Sequence, residues 1–225
     1  MFYPGCLPAL AFFFFVFLFP FFFANLLLAA LSKLGLSPAA ALLAFLGILF
    51  GGAINIPVKK IPREEIVIAD PFAVFGFGRL FPRLLRTRRY TTIAINVGGC
   101  MIPCMLALYQ IARIVQEGWY AAVVLLAVTA LSIAVCFRIA RPVQGIGIAM
   151  PALIPPLLAA VPSVLLMPDF APPIAFVAGV LGPLIGADLL HLSEVKRLAT
   201  GVASIGGAGT FDGIVLSGLF AAILA

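Results

Sequence analysis

The stretch GGAGTFDG, Gly206 to Gly213, lies inside the last apolar segment of the chain. Its reading decides whether that segment is a plain lipid-soluble helix or one shaped around an acid. Beyond it the chain runs to Ala225 without another charge. The whole sequence shares this apolar setting. Of its 225 residues, 64% are hydrophobic and 10% charged, against about 25% charged in ordinary soluble domains, and mean hydropathy is +1.24. A soluble domain of this size leaves much of its surface in water and cannot bury so much apolar area. The composition is that of an all-α polytopic membrane protein whose first partner is the lipid bilayer.

The formal charge of +6 reads as membrane orientation and not as a nucleic-acid surface, because Lys and Arg collect on the cytoplasmic side. Runs of about 20 apolar residues mark spanning helices. Seven are expected, near 8–31, 38–56, 92–112, 120–137, 148–167, 172–192 and 204–225. The fifth carries Pro151, Pro155, Pro156 and Pro162 and is therefore bent or broken. The first, with AFFFFVFLFPFFF at Ala11–Phe23, lacks a basic leader and exceeds the roughly 7–15 residues of a signal-peptide core. It reads as a retained, lipid-facing span that Pro20 kinks.

Charge orients the seven. The connection 57–91 holds Lys59, Lys60, Arg63, Arg79, Arg83, Arg86, Arg88 and Arg89. Placed in the cytoplasm, it shares that side with Arg138, Arg141, Lys196 and Arg197, twelve of the fourteen basic residues. Lys33 and Arg113 fall opposite. The N-terminus is then cytoplasmic and the C-terminus outside, in one transmembrane domain over 1–225 with a basic cytoplasmic loop at 57–91. Within that loop EEIVIADP and FAVFGFGRLF read as extended or interfacial segments.

Six of the eight acidic residues fall in loops or at span ends; Asp188 and Asp212 do not. An ionisable group inside a span is costly and marks a functional site by default. At 1.5 Å per residue, Asp188 sits about 6 Å and Asp212 about 9 Å from the cytoplasmic edge. Adjacent antiparallel spans thus carry one carboxylate each at nearly one depth. If they face each other, the two share a proton. One can then activate water while the other protonates a carbonyl oxygen or leaving amine. Gly206, Gly207, Gly209 and Gly213, with Gly186 and Ala187 before Asp188, allow close helix approach or an extended backbone. Pro151, Ala152 and Leu153 enter from the same side, where the free carbonyls of a broken helix could line a substrate groove.

Other polar groups read more plainly. Cys100 and Cys104 share a helix face, and with Cys6 and Cys136 they serve as small packing residues. His191 stands three residues after Asp188, a spacing that suits a metal ligand, yet it reads better as an interfacial histidine beside Lys196 and Arg197. No metal and no cofactor are expected. Asn96, in NVGG, is a further polar ligand at the cytoplasmic level.

From Ala94 onward, AINVGGCMIP, ARPVQGIGIAMPALIPP, IGADLLHL and SIGGAGTFDGIVLSG resemble a prokaryotic membrane-protein family of unknown function, family 1614 among such domains. That likeness implies a multi-pass protein of a prokaryotic inner membrane. The short motifs also resemble the intramembrane aspartyl proteases of the presenilin and signal-peptide-peptidase type. In that likeness Asp188 is the first catalytic Asp and Asp212 the second, Gly207 and Gly209 match the G-x-G before it, and Pro151–Leu153 match P-A-L. The resemblance implies cleavage of transmembrane peptides. Thr210 and Phe211 stand between G-x-G and Asp212, Ala187 replaces the usual Tyr, P-A-L precedes both Asp residues, and seven spans replace nine.

Two other classes fit the same residues. An ion-coupled transporter or channel would use Asp188, Asp212 and Asn96 beside broken helices, and the small chain would then form a homo-oligomer. A non-catalytic membrane scaffold would separate the two Asp residues onto different faces.

Overall fold

The computed structural model describes residues 6–62, 90–143, 147–195 and 202–225. Most of the basic loop, including EEIVIADP, FAVFGFGRLF and Arg63 to Arg89, lies outside the described residues, as do Lys196 and Arg197.

The chain is mostly helical. It opens with α1 (Cys6–Phe13), a π-helical turn at Phe14–Leu18 and α2 (Phe19–Lys33), which continue one another. After Ser37, whose side chain accepts from the Ala40 N–H, comes α3 (Pro38–Gly51). Strand β1 (Asn55–Pro62) follows, then β2 (Tyr90–Asn96), a π turn at Val97–Met101 and α4 (Ile102–Gln116). Helix α5 (Trp119–Ile139) leads into a hairpin of β3 (Arg141–Val143) and β4 (Gly147–Ala149). Then come α6 (Ile154–Leu166), a 3-10 turn at Pro168–Phe170, α7 (Ala171–Leu181), a π turn at Gly182–Leu189 and α8 (Leu192–Val195). The described chain closes with β5 (Val202–Ile205), a 3-10 turn at Gly209–Phe211 and α9 (Gly213–Leu224).

Among the described residues, four stretches are long and apolar enough to cross a membrane: Leu10–Lys33, Val97–Gln116, Trp119–Ile139 and Pro168–Glu194. Three shorter apolar helices, Pro38–Gly51, Ile154–Leu166 and Gly213–Leu224, run among them. Helix α7 is the centre, buried almost continuously from Ala171 to Val180 and packed by α4, α5, α6 and α9. Small residues allow this. A Cβ on Gly179 would lie 2.8 Å from the Ser217 carbonyl oxygen, and one on Gly218 would lie 2.5 Å from a Val180 methyl. In a membrane such close contact supplies the dispersion energy that holds helices together.

Two small sheets amend the all-α expectation. Strand β1 pairs antiparallel with β2, and β2 pairs parallel with β5. Spans three and seven were expected to start at 92 and 204, but there the chain is strand, and the helices begin at Val97 and Gly213. Likewise α3 stops at Gly51, short of 56, and α6 starts at Ile154, after the β3–β4 hairpin. The reason is local. TTIAIN and VASI are β-branched and apolar, so hydropathy merges them with the helices that follow, while their branched side chains favour extended backbone.

Side chains tie the helix ends into two levels. Lys33 Nζ donates to the Ile223 carbonyl at 2.8 Å, Arg113 and Gln110 donate to the Leu34 carbonyl, and Tyr120 Oη donates to the Leu166 carbonyl at 3.0 Å. At the opposite level lie both sheets and every candidate site residue.

Candidate active site

The site end is built from three glycine-rich bends. Gly51 and Gly52 end α3, Gly98 and Gly99 open the turn before α4, and Gly206 and Gly209 shape the approach to α9. They touch backbone to backbone: Gly98 lies against Ile48 and the Gly51–Gly52 peptide, Gly99 against Gly206, and Gly209 against Gly52. Gly206 and Gly209 have φ of 74° and 60°, which glycine adopts without the Cβ penalty.

Asn96 locks this assembly. Fully buried, it caps the turn after β2. Its Oδ1 accepts from the Gly99 N–H at 2.7 Å, and its Nδ2 donates to the Gly52 carbonyl at 2.7 Å and to Asn55 Oδ1 at 3.1 Å. Ser204 Oγ donates to the same Asn55 oxygen. The Asn96 side chain therefore joins three chain segments to one another.

Asp212 is not inside a helix. It is the N-cap of α9: Oδ1 accepts from the Ile214 N–H at 3.0 Å and Oδ2 from the Ala208 N–H at 3.3 Å. This satisfies orphan donors at the helix start and fixes the carboxylate plane. Asp188 lies in the π turn after α7. Gly182 and Gly186 press that turn against α5, where a Cβ on Gly186 would sit 2.9 Å from the Cys136 Cβ. Both carboxylates are half-buried. The π turn that carries Asp188 packs against α9, which Asp212 caps. Cys100 and Cys104 are 4.0 Å apart, sulfur to sulfur.

The remaining expected residues divide. Pro151, Ala152 and Leu153 are exposed in the turn before α6, and their neighbour Met150 reaches Gly213, whose Cβ position is 3.0 Å from the Met150 methyl. The tripeptide thus borders the Asp212 cap. Gly207 is exposed on the turn, whereas Gly209 is buried against Gly52. His191 is buried, 7% exposed. Its Nδ1 lies 3.1 Å from the Gly186 carbonyl and 2.9 Å from that of Ala187. Carbonyls only accept, so Nδ1 carries the proton, while the ring packs on Phe137 at 4.9 Å. The histidine closes the end of the π turn. Among the described residues, no three His, Cys, Asp or Glu side chains are grouped to hold a metal ion. An apolar groove of about 260 Å³ lies between α6 and the end of α9, lined by residues such as Leu157, Val161 and Leu224 and by none of the expected site residues.

Sequence reasoning missed Asn55, the bond of Ser204 to it, and the Gly51–Gly52 and Gly98–Gly99 bends. Asn before a helical run is an N-cap signal, and Gly-Gly marks a bend; both were legible at NVGG.

The fold defines a mostly helical protein with helices long and apolar enough to cross a membrane, whose shorter helices meet glycine bends at one end. The chain matches the family described as "Protein of unknown function (DUF1614)" over residues 49–224 and belongs to it. No curated protein and no solved structure matches it.

Proposed function

We propose that this chain is an intramembrane aspartyl protease-like enzyme that cleaves membrane-embedded peptides with the pair Asp188 and Asp212. One observation carries the reading: the π turn that holds Asp188 packs against α9, whose N-cap is Asp212, at the end where helices give way to glycine bends. One carboxylate takes a proton from water as the water oxygen attacks the peptide carbonyl carbon. The other gives its proton to the carbonyl oxygen; from the resulting gem-diol the first carboxyl gives its proton to the leaving amine, and the second takes one back from a hydroxyl as the C–N bond breaks. The Pro151–Leu153 turn beside the Asp212 cap, with the exposed Gly207, is the surface that receives the extended peptide. A π turn around Asp188 fits this role, since such turns concentrate at functional sites.

The membrane setting follows. Seven helical segments alternate between the two levels, with the N-terminus cytoplasmic and the C-terminus outside, in a prokaryotic inner membrane. Ten residues separate Phe23, beside Phe211, from Lys33, beside Ile223, which is about 15 Å of helix. Asp212 then lies about midway through a hydrocarbon core of roughly 30 Å, deeper than spacing alone suggests. The test is mass spectrometry of single-span peptides incubated with purified protein in nanodiscs. Cleavage by the wild type and its loss in both Asp188→Asn and Asp212→Asn is the expected result. Equal cleavage by wild type and variants would remove the reading.

A second reading, ion-coupled transport by a homo-oligomer, is favoured by helix length. α3, α6 and α9 have 14, 13 and 12 residues, about 18–21 Å each, and all three pass into extended backbone at the Asp end. Non-helical backbone at membrane depth lines protein or a water-filled cavity, as in transporters with broken helices. Proton- or sodium-driven uptake into liposomes, lost in Asp188→Asn, would favour it over proteolysis.

A further inference from the structure

Phe211 belongs to the two-residue insertion that separates G-x-G from Asp212. Its ring is 61% exposed, yet it stacks on Phe23 of α2, centroids 5.2 Å apart and planes 16° apart. Offset stacks at this separation are favourable aromatic pairs. Phe23 in turn stacks on Phe19 at 5.9 Å, and Phe19 meets Phe15 at 6.3 Å. A ladder with four-residue steps therefore runs down the N-terminal helix and ends on the residue next to Asp212. The helix itself is held elsewhere: its buried residues, Leu27, Ala30 and Leu31, and the Lys33 tie to Ile223 lie further along. Residues 10–22 are exposed throughout. The family match begins at residue 49, so this helix reaches the site from outside the matched region.

On the backbone side, Phe211 closes the 3-10 turn Gly209–Phe211, whose last bond is Asp212 N–H to the Gly209 carbonyl at 3.0 Å. Thr210 points inward, buried, and Gly209 rests on Gly52. The turn is thus gripped from two sides, by glycine contacts below and by Phe23 outside. We propose that Phe23 and Phe211 form a clamp through which the N-terminal helix holds Asp212 in place against Asp188, making Phe211 a positioning residue for the pair. This rests on the reading that the two carboxylates act together.

The test uses the full chain in nanodiscs and the carboxyl reagent dicyclohexylcarbodiimide, with adduct formation at Asp212 followed by mass spectrometry. Phe211→Ala and Phe23→Ala should each change the Asp212 labelling rate severalfold. The double variant should go no further than the larger single one, because both remove the same contact. Phe23→Tyr, which keeps the ring, should label like wild type and shows that folding survives substitution there. In peptide cleavage the alanine variants should lower kcat with KM unchanged. Unchanged labelling in Phe211→Ala, or additive effects in the double variant, would overturn the clamp. Absence of cleavage by the wild type alongside the expected labelling pattern would overturn the protease reading and leave the clamp standing.

Discussion

Gly99 and Gly206 meet backbone to backbone, with no room for a side chain on either. A Cβ on Gly206 would lie 2.6 Å from the Gly99 carbonyl carbon, and Gly206 also has a φ of 74°. Gly206→Ala therefore combines overpacking with a left-handed backbone penalty and should cost about 2 kcal/mol or more. Gly147 has a φ of 120° but nothing within 4 Å of its Cβ position. Gly147→Ala should cost only the backbone term, about 1 kcal/mol. Thermal unfolding in detergent should show the larger fall in midpoint for Gly206→Ala. Equal falls would mean that the Gly99–Gly206 contact is not tight.

Asp212 has two separable tasks, and the amide separates them. Asn caps a helix about as well as Asp, whereas Ala costs about 1 kcal/mol. Asp212→Asn keeps the Ile214 cap but faces the Ala208 N–H with an amide nitrogen, so it should unfold slightly below the wild type and Asp212→Ala several degrees lower. Both should lose peptide cleavage, because neither can exchange the proton. Cleavage retained in Asp212→Asn would leave Asp212 as a cap only.

Asn96 spends all its hydrogen-bonding capacity on the Gly52, Asn55 and Gly99 junction while fully buried. Removing it strands the buried Gly99 N–H and the part-buried Gly52 carbonyl, at a cost of about 1–3 kcal/mol for a buried group. Asn96→Ala should be among the most destabilising single changes at this end, and Asn96→Asp nearly as severe, because Asp lacks the Nδ2 donor and faces the Gly52 carbonyl with an oxygen. Denaturation of both variants beside Ser204→Ala checks this. Ser204 makes one peripheral bond to Asn55, so its loss should be the mildest of the three.

How much of this was legible depended on length. Trp119–Ile139 and Leu10–Lys33 are long apolar runs, and hydropathy found both. Strands of four to seven residues such as VASI and YTTIAIN are too short to break a hydropathy window, and their apolar residues extend the neighbouring helices. Their branched residues, Thr91, Thr92, Ile93 and Ile95, carried the missing signal. The likeness in depth of Asp188 and Asp212 came from counting residues. The capping of Asp212 did not, although Asp before GIVLSGLF is an N-cap pattern. Contacts such as Phe23–Phe211 join residues far apart in sequence and have no local signature.

The orientation proposed from charge can be checked at two exposed residues on opposite levels. Glu117 ends α4 on the level of Lys33 and Tyr120, and Lys60 lies at the opposite end, further along β1 than Asn55; both are exposed. If the positive-inside rule orients the chain, Glu117→Cys in intact cells should react with a membrane-impermeant maleimide. Lys60→Cys should react only after permeabilisation, with the wild-type chain giving the background from its native cysteines. Neither substitution touches a buried contact, so folding should be unaffected. The reversed pattern would invert the topology and place the Asp188–Asp212 pair toward the outer face. Labelling of both sites in intact cells would mean that an odd number of crossings does not separate them, and the seven-segment arrangement would fall.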